Sequence, residues 1–286
     1  MTILITGAFG QLGKSLIKIL GKKHNIIPTG HYIPKNYNGI RLNIQNKIQL
    51  KEIVRTIQPD LIINLAAITD VDKCEENPQL AKEVNIAGLQ NICNTFGGKI
   101  IQLSTDYVFD GKNGPYHEDD EISPISVYGK TKSDAEKILL DNNPNHLVIR
   151  GNVLYSGSFA FQSSFLSWVV NSLREGKKIE VVNDQYNNPT WTQSMSDIIE
   201  LCISRDIGGI IHWGDADYLN RYEFARLISK KFELKDSLIE KIKTKDLNQI
   251  AARPLQSGLL TEKATKYLNV IPPTIEKCLD EIIKAK

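Results

Sequence analysis

The sequence predicts an α/β fold in which a doubly wound parallel sheet carries helices on both faces. Two observations lead to this prediction. Short apolar runs alternate with stretches of helical periodicity over the first half of the chain, and the first apolar run ends in a glycine-rich turn. Strands separated by helices are typical of parallel crossovers, whose helices cover the sheet. A chain of 286 residues is also long enough to bury a sizeable core.

The predicted elements of the first half follow one another in regular order. We expect strands at residues 3–5, 25–27, 61–64, 99–103 and 146–150, and helices at residues 12–20, 48–57, 78–95 and 128–140. The first helix illustrates the reasoning, because Leu12, Leu16 and Leu20 recur every four residues and therefore share one helix face.

The pattern is less regular in the second half. Helices are expected near residues 160–173, 193–204, 220–232 and 274–284, with short strands at 179–182 and 209–213. We therefore predict a sheet domain over residues 1–150, whose sheet is completed by later segments. A smaller, mostly helical substrate-binding region is expected over residues 151–286, without a clean boundary.

The composition excludes several classes of function. Lys+Arg 35 against Asp+Glu 33 gives a net charge of +2, which offers no basis for binding nucleic acid or an anionic membrane. No apolar stretch approaches the ~20 residues of a membrane span, and Gly7 and Gly10 break the N-terminal run, unlike a signal peptide. The four cysteines and five histidines show no metal-ligand spacing. We expect a cytoplasmic protein with reduced thiols and no metal.

A GxxGxxG run, Gly7 to Gly13, lies directly between the first strand and the first helix. Glycine lets the backbone turn and approach a phosphate without a Cβ clash. The helix N-terminus adds a partial positive charge. This position predicts a dinucleotide pyrophosphate site, so residues 1–150 are expected to form a Rossmann-type NAD(P)-binding domain.

The end of the second strand indicates which dinucleotide is preferred. A carboxylate there binds the ribose 2′-hydroxyl of NAD, but residues 29–32 read Thr-Gly-His-Tyr and contain none. His31 or Lys35 could instead meet a 2′-phosphate. We therefore predict that NADP(H) is preferred, with NAD(H) as the alternative.

A YxxxK pair follows, because Tyr128 is the one tyrosine of ten with a lysine four residues later, Lys132. On a helix this spacing places both side chains on one face. Reduction of a ketone by hydride needs a proton for the oxygen, and a nearby ammonium is expected to lower the pKa of the phenol. Thr105, at the end of a strand, can donate a hydrogen bond to the same oxygen.

These segments resemble those of the extended short-chain dehydrogenase/reductases, and most closely those of the dTDP-4-dehydrorhamnose reductases. The matching segments span nearly the whole chain, at residues 6–13, 64–75, 84–85, 104–111, 128–132, 181–190 and 252–257. The resemblance implies NADPH-dependent reduction of the C4 ketone of a nucleotide-linked 4-keto-6-deoxy sugar, dTDP-4-dehydrorhamnose first among them, to dTDP-rhamnose. It implies no macromolecular partner beyond a homodimer.

The resemblance also implies a role for individual residues. Thr105, Tyr128 and Lys132 would be catalytic. The cofactor would be bound by Gly7, Phe9, Gly10, Gln11, Leu12, His31, Asn43, Ala66 and Ala67, together with Tyr128 and Lys132. The substrate would be bound by Thr69, Val71, Ser104, Thr105, Asp106, Tyr107, Tyr128, Asn152, Asp184, Gln185 and Arg253. Asn43 stands where relatives usually have Asp, facing the adenine.

Three alternatives stay open. Asn152 stands where the rhamnose enzymes have a sugar-packing Trp, so the sugar could be a different 4-keto-6-deoxy sugar. A non-catalytic subunit similar to the beta subunit of methionine adenosyltransferase shares several segments, although the complete Thr105, Tyr128 and Lys132 set favours an enzyme. A related epimerase or dehydratase is the third alternative. A dehydratase needs Asp-Glu after the Thr, whereas this chain has Asp106-Tyr107.

Overall fold

The computed structural model describes residues 1–158 and 164–285. Within them the strands are β1 (Thr2–Thr6), β2 (Asn25–Gly30), β3 (Ile40–Arg41), β4 (Leu61–Asn64), β5 (Lys99–Thr105), β6 (Leu147–Gly151), β7 (Leu154–Tyr155), β8 (Ile179–Val182), β9 (Tyr186–Asn187), β10 (Thr190–Trp191), β11 (Gly209–His212), β12 (Leu219–Asn220) and β13 (Ile239–Ile242). The α-helices are α1 (Gln11–Leu20), α2 (Lys47–Ile57), α3 (Val71–Glu76), α4 (Pro78–Lys82), α5 (Gly88–Thr95), α6 (Val127–Asn142), α7 (Phe165–Arg174), α8 (Thr192–Ser204), α9 (Arg221–Lys231), α10 (Glu262–Leu268) and α11 (Ile275–Lys284).

Seven strands form one sheet in the order β11-β6-β5-β4-β1-β2-β3, and every neighbouring pair is parallel. This sheet, with its flanking helices, confirms the predicted Rossmann-type α/β fold. The chain builds outward from β1 to β3 on one side and from β4 to β11 on the other. The direction therefore reverses between β1 and β4. Open α/β sheets bind ligands at such a switch point, beyond the carboxyl ends of the strands.

The strands and helices predicted for the first half are all present, with ends that differ by a few residues. The helix predicted at 78–95 is made of α4, a π-helical turn at Glu83–Ala87, and α5. The sequence analysis missed the helices α3 and α10 and the strands β3, β7, β9, β10, β12 and β13, which are too short for a clear periodicity. Residues 160–163 of the helix predicted near 160–173 lie outside the described residues, and α7 begins at Phe165.

The second half of the chain contributes to two cores. Met195, Ile199 and Trp213 pack with first-half residues such as Ile5 and Leu16 under one face of the sheet. A separate core is built entirely from residues after 150, among them Tyr155, Val169, Phe224 and Leu279. Strand β11 also extends the main sheet. The division at residue 150 stays a prediction. No helix among the described residues is both long and apolar enough to span a bilayer.

Candidate active site

A cleft of about 610 Å³ opens at the switch point between β1 and β4. We call it the switch-point cleft. Eight of the predicted cofactor residues line it, namely Gly7, Gly10, Gln11, Leu12, His31, Asn43, Ala66 and Ala67. Segments that are distant in sequence therefore meet at the edge where the fold class places its ligands.

The glycine turn of this cleft is shaped to leave backbone N–H groups accessible. Gly7 has φ +63°, and a Cβ there would lie 2.8 Å from the backbone of Leu65 and Ala66. Gly10 is the exposed N-cap of α1, and a Cβ there would meet only ordinary contacts. Gly7 is therefore required by the fold, whereas Gly10 leaves open space at a helix N-terminus. This cradle fits the pyrophosphate of a dinucleotide.

Phe9 is placed differently from the other predicted cofactor residues. Its ring fills the space beside Gly30 and Gly39 and contacts Tyr37 edge-on, with ring centroids 5.9 Å apart. The structure gives it this packing role, and its predicted contact with the cofactor stays a prediction.

A series of hydrogen bonds between buried polar side chains connects β1, β4 and β5 beneath the cleft. The Thr6 hydroxyl donates to Asn64 Oδ1 at 2.5 Å, and Asn64 Nδ2 donates to Gln102 Oε1 at 2.6 Å. Gln102 Nε2 and Lys132 Nζ both donate to the Leu103 carbonyl, at 2.8 and 2.5 Å. The position of Lys132 is thus fixed by β1, β4 and β5 together.

Thr105 lies at the centre of a second group of hydrogen bonds. Its hydroxyl donates to Asp106 Oδ1 at 3.1 Å and accepts from the backbone N–H of Tyr107 at 3.3 Å, and it lies near the Tyr128 phenol, whose pKa it acts to lower. The Ser257 hydroxyl donates to the other carboxylate oxygen of Asp106 at 2.6 Å. Asp106 is buried and burial raises its pKa. It was predicted to bind substrate, but in the structure its oxygens hold Thr105 and Ser257.

Burial dominates the electrostatics of Tyr128 and Lys132. It raises the pKa of the Tyr128 phenol above its ordinary value and lowers the pKa of Lys132 to about 8. The prediction that Lys132 lowers the pKa of Tyr128 is therefore wrong for this structure. The reason is that removal of water disfavours the phenolate more than the surroundings stabilise it. Tyr128 is held as a neutral phenol, which is a proton donor.

Ser104 does not face the cleft. Successive strand residues point to opposite sides of a sheet, so Ser104 points away from the side of Thr105. Its hydroxyl donates a short hydrogen bond to the buried carboxylate of Glu136. Glu136 in turn pairs with Arg150 at 2.7 Å. The predicted contact of Ser104 with the substrate is not supported by this placement.

Asn152 also turns inward. Its side chain is buried, with Nδ2 donating to Asn188 Oδ1 at 3.1 Å and Oδ1 accepting from the Thr190 hydroxyl at 3.3 Å. The amide is thus used within the protein. Thr69 and Val71 lie nearer the reacting groups, since Thr69 lines the switch-point cleft and Val71 packs in the cluster that contains Tyr128.

A second pocket of about 370 Å³ begins beside Tyr107, whose ring packs edge-on against Tyr128 at 5.7 Å. We call it the Arg221 pocket; its lining includes Tyr107, Phe165, Trp168, Gln185, Arg221 and Arg253. The sequence analysis missed Arg221, because an arginine at the start of a helix carries no signal that tertiary structure will half-bury it.

The other residues predicted for the nucleotide-sugar have partners in the protein. Arg253 pairs with Asp72 at 2.9 Å. The Asp184 carboxylate accepts from the backbone N–H and the hydroxyl of Thr244, at 2.9 and 2.7 Å. Gln185 Nε2 donates to the same Thr244 hydroxyl at 3.1 Å. Across residues 1–158 and 164–285, no group of three or more His, Cys, Asp or Glu side chains is arranged to hold a metal ion.

Comparison with known proteins connects this geometry with a family. The family described as RmlD substrate binding domain matches residues 1–286. The chain belongs to this family. The dTDP-4-dehydrorhamnose reductase of Salmonella typhimurium is 32% identical to it, over 96% of this chain and 95% of that protein. The resemblance drawn from the sequence is therefore confirmed.

Two further proteins are similar to this RmlD family member. The crystal structure of dTDP-4-dehydrorhamnose reductase from Bacillus anthracis, in complex with NADP, is 28% identical. It covers 100% of this chain and 99% of its own, with a TM-score of 0.91. Methionine adenosyltransferase 2 subunit beta from Rattus norvegicus is 29% identical over 84% of this chain and 75% of its own length. The chain is thus similar to both kinds of protein that the sequence suggests.

Proposed function

We propose that this protein is an NADPH-dependent reductase that converts the C4 ketone of a nucleotide-linked 4-keto-6-deoxy sugar to an alcohol, with dTDP-4-dehydrorhamnose as the first candidate substrate. The observation that supports this most is the position of Thr105, Tyr128 and Lys132. They lie together at the carboxyl end of β5, beside a cleft that fits a dinucleotide. NADP in the Bacillus anthracis relative supports the choice of cofactor.

Tyr128 is the proton donor of the proposed reaction. When NADPH is bound, it supplies the hydride that goes to the ketone carbon. The oxygen of the same carbonyl takes the phenolic proton of Tyr128, which leaves a secondary alcohol and a phenolate. Thr105 lies beside Tyr128, and with the ketone bound its hydroxyl proton would move from Asp106 Oδ1 to the carbonyl oxygen and orient that oxygen toward the phenol. A positioned acid of this kind contributes roughly 10²–10⁴ in rate.

Lys132 acts through its charge and its hydrogen bonds. A pKa of about 8 keeps most of the side chain as an ammonium at neutral pH. One N–H bond is used by the Leu103 carbonyl, and an ammonium has three N–H donors. The remaining donors would hold the nicotinamide ribose of bound NADPH, and the positive charge stabilises the phenolate after proton transfer.

The remaining predictions belong to the same proposal. His31 lines the switch-point cleft, and no carboxylate stands at residues 29–32, which supports NADP(H) over NAD(H). Cytoplasmic location rests on four free cysteines. The homodimer stays a prediction.

The experiment is an assay of NADPH oxidation with dTDP-4-dehydrorhamnose and other 4-keto-6-deoxy sugar nucleotides. Tyr128→Phe removes the proton donor, so turnover should fall by about 10²–10⁴ while the affinity for NADPH is retained. The matched control is Tyr267→Phe, because Tyr267 is 51% exposed on α10; it should turn over like the parent. Full activity of Tyr128→Phe would exclude Tyr128 as the acid.

The alternatives predict different results in the same assay. A non-catalytic subunit would bind NADPH, oxidise none of it with any keto sugar, and co-purify with a synthetase. A dehydratase or epimerase would retain tightly bound NAD after purification.

A further inference from the structure

The charges of this chain are distributed unevenly along the sequence. Residues 1–51 contain eight of the 35 Lys and Arg residues and none of the 33 Asp and Glu residues. The formal charge of this segment is therefore +8, and because the whole chain has +2, the remaining residues carry −6. An excess of one sign in one segment produces a local field that the net charge of the chain conceals.

The fold brings this segment to one side of the switch-point cleft. Residues 1–51 form β1, α1, β2, β3 and the first turn of α2, and β3 is the edge strand of the sheet on that side. The connection from β2 to β3 packs against the glycine turn, since the rings of Tyr37 and Phe9 have centroids 5.9 Å apart. His31 and Asn43 line the cleft on this side, and no Asp or Glu of the described residues belongs to its lining.

Four exposed cations follow one another along the β3 side of the cleft, and we call them the cationic rim: Lys35, Arg41, Lys47 and Lys51. Lys35 lies in the connection from β2 to β3, and Arg41 ends β3 at the carboxyl edge of the sheet. Lys47 begins α2, and Lys51 lies on the same helix face one turn later. No carboxylate of residues 1–158 or 164–285 lies within 4.0 Å of these four side chains.

Charges of the opposite sign lie mainly elsewhere. At the far end of α1, Lys23 pairs with Glu200 of α8 at 2.6 Å, so positive charge is neutralised away from the cleft. Helix α5, which packs against α2, contains no Asp or Glu, and the carboxylate of α2 is the exposed Glu52. The positive field of the segment is therefore strongest beside the cleft.

We propose that the cationic rim attracts an anionic dinucleotide to the switch-point cleft and accelerates its association, acting through its field rather than through direct contacts. This rests on the proposed function, which supplies NADPH as the ligand. A field of one sign at a cleft raises association rates by about 10- to 10³-fold and weakens with salt. A phosphate monoester such as the 2′-phosphate adds about −1.5 to −2 charge at neutral pH, so NADPH should gain more than NADH. An extended polyanion would also meet the −6 of the remaining residues, which favours a compact ligand.

The test measures binding kinetics in the absence of a sugar nucleotide. Stopped-flow fluorescence gives the association and dissociation rate constants of NADPH and NADH for the parent and for Arg41→Gln/Lys47→Gln/Lys51→Gln, the rim variant. Lys35, a candidate contact of the 2′-phosphate, is left in place. At low ionic strength the rim variant should bind NADPH about 3- to 10-fold more slowly than the parent, with a smaller loss for NADH and unchanged dissociation. In about 1 M NaCl, where the Debye length is about 3 Å, the difference should disappear.

The matched control changes the net charge by the same amount at other positions. Lys230→Gln/Lys266→Gln/Lys277→Gln removes three exposed cations from α9, α10 and α11. Helix α10 packs against β11, the edge strand opposite β3. This control variant should bind NADPH as fast as the parent, because its lost charges do not belong to the rim.

The outcomes separate this inference from the reaction. Equal association rates of NADPH with the parent and the rim variant at low salt overturn it, even if the parent reduces a keto sugar. An equal loss in the control variant overturns it too, because total charge would then decide. Faster dissociation that accounts for the whole loss of affinity also overturns it, since the rim would then act by contact. An inactive parent whose NADPH association depends on the rim supports the inference and refutes the reductase, whereas a parent that binds neither dinucleotide overturns both.

Discussion

Glu136 lies one helical turn after Lys132 on α6, and both side chains are shielded from water, with exposed fractions of 2% and 4%. Burial lowers the pKa of Lys132 to about 8, and the carboxylate of Glu136 acts in the opposite direction. Glu136 is itself held by Arg150 at 2.7 Å and by the hydroxyl of Ser104. The charge of the proposed catalytic lysine therefore depends on a carboxylate that does not face the cleft.

Glu136→Gln should shift the pH dependence of catalysis. The ammonium of Lys132 is present below its pKa of about 8 and is lost as the pH rises through it. Removal of the carboxylate, which raises this pKa, should move the alkaline limb of kcat/KM to lower pH. The measurement is the pH profile of kcat/KM, with the exposed Glu240→Gln on β13 as the control that should not shift.

Glu136→Gln leaves the buried Arg150 without its partner, which destabilises the fold by about 3–5 kcal/mol. A second variant therefore tests the same prediction in case the single variant unfolds. The double variant Glu136→Gln/Arg150→Met removes both charges, so its free energy of unfolding should be higher than that of the single variant. The alkaline limb of its kcat/KM profile should still lie at lower pH than that of the parent. An unshifted limb in the folded double variant would show that Glu136 does not tune Lys132.

Gly7 and Gly10 should respond differently to alanine. Gly10→Ala should change the free energy of unfolding by less than about 1 kcal/mol, because its Cβ meets only ordinary contacts. It should weaken NADPH binding by about tenfold or more, since the methyl group occupies the space for the pyrophosphate. Gly7→Ala should itself destabilise the fold by about 1–3 kcal/mol, because φ is +63° and the backbone of Leu65 and Ala66 is too close. Urea unfolding and NADPH titration measure the two effects, and an unchanged NADPH affinity in Gly10→Ala would contradict the proposed cradle.

The contrast between Ser104 and Thr105 shows how far the sequence could predict the site. The strand and the chemistry of its end are visible in the sequence, because apolar runs and a following Ser-Thr-Asp occur locally. The two-residue alternation of a strand indicates that the two hydroxyls point to opposite sides, and this signal could have removed Ser104 from the predicted contacts. The partner that holds Ser104, Glu136, lies 32 residues away, and only the folded structure brings them together.

The placement of the Arg221 and Asn152 side chains could not be predicted from the sequence. Their placement depends on burial and on contacts with distant segments, such as the hydrogen bond of Asn152 with Asn188 and the Phe165 ring beneath the guanidinium of Arg221. The local conformational propensities of residues contain no information on burial or on contacts with distant segments. The parallel sheet, in contrast, was predictable because its central strands β1, β4, β5 and β6 are apolar runs that are largely buried.

Asp215 should make the stability of the protein depend on pH. Its carboxylate is buried, accepts from the Tyr155 hydroxyl at 2.6 Å and from the Trp191 backbone N–H at 3.0 Å, and burial raises its pKa to about 7. The folded state therefore keeps a proton between about pH 4 and pH 7 that the unfolded chain has lost. Stability is greatest at the acidic end of this window and falls as the pH rises, by about 4 kcal/mol at most.

Asp215→Asn isolates this effect, because the amide oxygen can still accept from Tyr155 and Trp191 but does not titrate. The free energy of unfolding, measured in urea at several pH values across the window, should fall less steeply with pH in Asp215→Asn than in the parent. Asp106, whose pKa burial also raises, titrates in both proteins and cancels in the comparison. The exposed Asp119→Asn should follow the parent curve. Parallel curves for Asp215→Asn and the parent would mean that Asp215 is solvated enough to keep its ordinary pKa, since only a group with different pKa values in the folded and unfolded states couples stability to pH.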